Sequence, residues 1–153
     1  MSDKILAKEE SPLPFGTKFG QKFNPSKHEY IRRIENVRSV NLRTSIRPED
    51  TEILRGKICD SYGLQVVTWR SHIRSLNSAN KNQKEIIERF TKMYGKPTTN
   101  YGSWFWQAHN SDIIVKIRSN SRLHQNQIRL LGPKNIACIE HMLRKQNNNK
   151  HLR

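Results

Sequence analysis

The chain has 153 residues, enough for one domain, and its 28 Lys and Arg against 13 Asp and Glu give a formal charge of +15. Only 34% of the residues are apolar, and no run reaches the roughly eighteen needed for a membrane-spanning helix. Two cysteines are too few for a secreted disulfide framework and, without histidines at ligand spacing, for a structural zinc site.

Residues 1–24 read as a flexible basic and aromatic N-terminal arm. The opening MSDKILAKEESP carries Asp3, Glu9 and Glu10 and no apolar h-region, which argues against a signal peptide and for an intracellular protein of cytoplasm or nucleus. Phe15, Phe19 and Phe23 recur at every fourth position, with Lys18 and Lys22 between them. Rings and cations on a glycine-flexible chain suit base stacking with phosphate neutralisation. The same phenylalanines could instead pin the arm to the domain, since exposed rings are costly without a partner.

Residues 25–145 read as a single α+β domain. Ser26 and Glu29 have capping-box spacing, and Tyr30, Ile31, Ile34 and Val37 give a helical apolar face. Residues 41–46 are ambiguous between loop and short strand. Pro48 opens a second expected helix, with Glu49, Asp50 and Glu52 at its positive end and Ile53, Leu54 and Ile58 as its stripe, up to Gly63. Residues 64–74 alternate as a strand, with Val67, Trp69 and Ile73 on one face and Arg70, His72 and Arg74 on the other.

After a polar connector at 76–82, the apolar positions Ile86, Ile87, Phe90, Met93 and Tyr94 predict a helix that Gly95 and Pro97 stop. Trp104-Phe105-Trp106 and the run Ile113 to Arg118 then form a hairpin. Residues 119–127, with Arg122, read as loop, and 128–131 as a last strand. A final helix presents Ile136, Ile139, Met142 and Leu143, and 146–153 reads as a disordered polar tail. Cys59 and Cys138 fall inside predicted helices and read as buried thiols in a reducing compartment. The fold expected is therefore α+β in two layers, a mainly antiparallel sheet of about four strands with helices packed on one face.

A charge this positive points to a polyanionic partner, nucleic acid (DNA or RNA) before an acidic protein. With Val67, Trp69, Ile73, Ile113, Val115, Ile117, Ile128 and Leu130 turned to the helices, the other face holds Arg70, His72, Arg74, Lys116, Arg118 and Arg129. No acid is expected there on any of the three strands. A phosphate backbone could lie across such a face. Strand parity separates Phe105 from both tryptophans, making Phe105 the candidate for stacking on a base. Lys18, Lys22 and Arg122 would add weaker contacts.

Nothing in the sequence supports catalysis, a metal or a cofactor. The six histidines show no metal-ligand spacing, and no phosphate loop or nucleophile elbow is present. His109 and Asp112 bracket a turn, where local hydrogen bonds explain them. The function expected is non-catalytic nucleic-acid binding, with a basic adaptor or assembly subunit for an acidic protein as the alternative. A nucleic-acid-processing enzyme would require His72, His109 or His124 to meet Asp112.

Overall fold

A computed structural model describes residues 11–151 of the chain, with side chains through residue 148. Its centre is one eight-stranded antiparallel sheet, in the order β1-β2-β3-β4-β8-β7-β6-β5. The strands are β1 His28–Ile34, β2 Val37–Leu42, β3 Thr51–Cys59, β4 Gly63–Ser71, β5 Thr98–Asn100, β6 Ser103–Ala108, β7 Ser111–Asn120 and β8 Leu123–Leu131. Helix α1, Leu76–Tyr94, connects β4 to β5, and α2, Asn135–His151, follows β8. The expected four-stranded, two-layer arrangement is overturned: the sheet is twice that size, and the helices do not share a face.

Both helices expected before residue 63 are strands. Residues 28–42 form a hairpin through Glu35-Asn36, with Glu35 at φ 51°. A bulge between Tyr30 and Arg32 breaks the two-residue period of β1 and leaves its apolar positions at helix-like spacing. Ser26 caps no helix; its backbone N–H and hydroxyl both donate to Asn24 Oδ1. In β3, Leu54, Gly56 and Ile58 face one way and Ile53, Arg55 and Lys57 the other. A side chain at Gly56 would run into Leu64 and Leu42, which fill the space above it.

Gly63 has the opposite constraint. It sits at φ +70°, with the Gly20 backbone packed where a Cβ would stand, and Leu64 N–H donates to the Gln21 carbonyl at 2.8 Å. The segment before β1 is thereby held against the sheet. Leu13 is buried in the core, and Phe15, Phe19 and Phe23 pack against it; Phe15 stacks on Trp69 at 6.1 Å.

α1 begins about two turns earlier than expected, with Ser75 Oγ accepting from Ser78 N–H, so the 76–82 connector belongs to the helix. It lays Ile86 and Phe90 on Val67, Trp69, Trp106, Ile113, Val115, Ile128 and Leu130, and Ala79 is buried as well. Phe90 meets Trp106 edge-on at 5.6 Å, and Trp106 Nε1 donates to the Gly95 carbonyl at the helix end. Ile73 lies outside this core, 49% exposed.

α2 belongs to the other face. Alternation along β3 sends Cys59 opposite Ile58, and Cys59 is bonded to Cys138 of α2, with Cα atoms 6.1 Å apart. The expected pair of free thiols is thus a disulfide bridging 79 positions. Val37, Tyr62 and Met142 surround it. Backbone helix continues through the stretch 146–151 that reads as a tail. Among the described residues no helix is long and apolar enough to cross a membrane.

Candidate nucleic-acid interface

The face turned away from α1 can be read from strand register, because directly paired residues share a side. One row runs Arg32, Ser39, Lys57, Val66 from β1 to β4. The next runs Arg55, Thr68, Arg129, Ile114, Phe105 from β3 to β6. A third holds Ile53, Arg70, Gln127 and Lys116, and Arg118 lies beyond it opposite Gln125. Arg118 and these rows, apart from Ile114 and Phe105 at the end of the second, floor a shallow hollow of about 590 Å³ whose lining includes seven cations: Arg32, Arg55, Lys57, Arg70, Lys116, Arg118 and Arg129.

These cations crowd one another. Burial, and then the nearby Arg129 and Arg32, push the Lys57 ammonium below its ordinary value. Burial, followed by Arg118, Arg55 and Arg129, does the same to the Arg70 guanidinium, with Glu52 opposing. Cations destabilised by burial and by like charges are those an incoming polyanion relieves most.

Among the described residues, acids stand only at the margins. Glu29 pairs with Arg43 at 3.3 Å, and Glu52 accepts from Gln125 Nε2 at 2.7 Å. Because β7 starts at Ser111, two residues earlier than expected, it brings Asp112 onto this side, in the row of Lys57 and beyond Leu131. The expectation of strands free of acid is corrected on that point.

The structure brings Arg70, Lys116, Arg118 and Arg129 together as the alternation requires. Phe105 is half-buried on the same side, separated from Arg129 by Ile114. Trp106 goes to the core, with Trp104 packed against it. Arg74 does not join the cluster. β4 ends at Ser71, and Arg74 turns to the start of α1, where it forms an ion pair with Asp50 and donates to Ser78 Oγ. His72 lies beyond the same strand end, exposed, its N–H directed at Asp50. Arg122 is exposed in the β7–β8 turn. Lys18 and Lys22 are exposed on the N-terminal segment, and neither lines the hollow.

Arg32, Arg55 and Lys57 are the members that the sequence reading misses, since β1 and β3 read as helices. The alternation Ile53-Arg55-Lys57 against Leu54-Gly56-Ile58 carries the missing signal, and a mid-helix glycine would have cost about 1 kcal/mol.

The histidines are dispersed. His109 bonds the Ser11 carbonyl at the β6–β7 turn, His124 bonds Ser119 at the far end of β7, and neither meets Asp112. Among the described residues no three His, Cys, Asp or Glu side chains converge to hold a metal ion. No protein-family model, curated protein or solved structure matches this chain.

Proposed function

We propose that the chain binds nucleic acid across the open face of its sheet, neutralising phosphates with Arg32, Arg55, Lys57, Arg70, Lys116, Arg118 and Arg129. The observation that carries this reading is the crowding of these seven cations in one hollow that no carboxylate of the described residues lines. From β1 to β7 the hollow crosses five strand spacings, roughly 24 Å, enough for several consecutive phosphates of one strand. Ile31, Ile53 and Val66 set apolar surface among the cations of the hollow, and Ile114 and Phe105 extend it outside the hollow beyond Arg129, which favours a single strand with accessible bases over a duplex bound by its backbone alone.

The test is fluorescence anisotropy with single- and double-stranded DNA and RNA at stepped salt. Seven neutralised phosphates on a single strand imply a log–log slope of roughly −5. Arg118→Ala with Arg129→Ala should weaken all sequences alike and make that slope shallower by about 2. Affinity that does not change with salt would overturn the reading. Capture of an acidic protein that survives nuclease digestion, with no such slope, would move the surface to a protein partner.

A further inference from the structure

The opposite side of the molecule holds a second concavity, which the basic hollow does not use. It lies between the N-terminal segment, the loop 45–50 and α1, and measures about 570 Å³, within the range of small-molecule sites. Its walls are apolar: Leu13, Phe15, Trp69, Ile86, Phe90 and Met93. Ile46, 62% exposed, also lines it. Phe15 is held at φ 63°, a region that non-glycine residues occupy sparingly and that recurs at ligand clamps.

The polar groups in the lining are unequal. Asp50 is matched by Arg74. Arg47 and Arg89 are both exposed, and among the described residues neither forms an ion pair. The Arg89 guanidinium rests 5.7 Å from the centre of the Phe90 ring, so one cation already sits at the boundary between apolar wall and solvent. An apolar wall with two guanidinium groups free of ion pairs among the described residues and a single neutralised carboxylate complements a molecule that is apolar at one end and anionic at the other.

We infer that this cavity binds a small apolar carboxylic acid, with its chain or ring against Phe15, Trp69 and Phe90 and its carboxylate at Arg47 and Arg89. The site is independent of the nucleic-acid face, with which it shares no lining residue.

Titration calorimetry with octanoate against octanol, and phenylbutyrate against phenylbutanol, tests it and separates aliphatic from aromatic ligands. Trp69 fluorescence provides a second readout. At least one acid should bind saturably and more tightly than its alcohol. Arg47→Ala with Arg89→Ala, both at exposed positions, should weaken that acid by roughly tenfold and leave the alcohol unchanged. Arg118→Ala with Arg129→Ala should change neither. The inference is overturned if neither acid binds saturably, whether because the chain itself or a second copy fills the space. It is equally overturned if acid and alcohol bind alike, or if the loss follows Arg118 and Arg129 instead.

Discussion

Arg70 on β4 donates through Nε to Oε1 of Gln127 on β8, at 3.1 Å across the paired strands. The bond uses the inner nitrogen of the guanidinium and leaves the two terminal nitrogens with no acceptor among the described residues. Gln127 is buried, so the position of Arg70 on the open face is fixed by the sheet and not by a solvent-exposed rotamer. If phosphates lie here, Arg70→Ala should weaken binding about tenfold for every sequence and make the salt slope shallower by about 1. Gln127→Leu removes only the positioning bond. It should cost a few-fold at unchanged slope, and anisotropy across a salt series separates the two outcomes.

Cys59–Cys138 ties α2 to the open side of the sheet across 79 positions. The apolar cluster around it is small, holding Val37, Tyr62 and Met142, while Ile136, Ile139 and Leu143 of α2 stay exposed. The bridge is therefore a main anchor of that helix. Cys59→Ser with Cys138→Ser should lower unfolding free energy by roughly 2–4 kcal/mol in urea. Reductant should reproduce that loss in the parent chain and have no effect on the double variant. Equal stability with and without reductant in the parent would show that the helix is held by other contacts.

How much of this was legible from residues alone differs along the chain. Between Lys81 and Arg118 the helix and its end are legible, with Phe90 and its neighbours at helical spacing and Gly95 and Pro97 as stops, and so is the β6–β7 hairpin, whereas the short polar strand Thr98–Asn100 carries no apolar alternation to reveal it. The first third misled because a bulge at Ile31 and polar strand ends imitate an amphipathic helix. There the long-range pairing of β1, β2 and β3 overrides a local preference, and a single window cannot show that pairing. The site suffered accordingly. Strand parity found Arg70, Lys116, Arg118 and Arg129, but the other half of the hollow lay on strands read as helices. Arg74 shares that face only if alternation continues past Ser71, where β4 ends.

His28 is buried at the start of β1, and its Nδ1 accepts the Asn24 N–H at 2.9 Å. Burial, then the charge of Lys27, holds its pKa below the usual 6.5. The unfolded chain therefore takes up a proton near pH 6.5 that the folded chain refuses. The contribution of His28 to stability is complete above that pH and is lost as the pH falls through it towards the lower folded value. Urea midpoints should decline as the pH is lowered from about 7 through 6.5. His28→Asn keeps an acceptor near the Nδ1 position and removes the titration. A decline unchanged in that variant would assign it to other groups.

Arg74 gives the sharpest contrast between a structural cation and those proposed to bind phosphate. Its partner Asp50 also receives the His72 N–H, and the Arg74 backbone pairs with His124, so the ion pair helps fasten the end of β4 to α1 and to the β7–β8 hairpin. The Arg74 Nε is buried without a partner, which makes the group dependent on Asp50 for its remaining charge compensation. Both side chains keep between a quarter and a third of their exposure, so solvent screens part of the attraction. Arg74→Ala should cost about 1–2 kcal/mol of stability, and Asp50→Ala somewhat more, because it strands a half-buried cation. Neither change should alter nucleic-acid affinity per folded molecule, measured by anisotropy below the unfolding range. A loss of affinity for Arg74→Ala equal to that of Arg129→Ala would place the interface at the α1 end of β4 and not in the hollow.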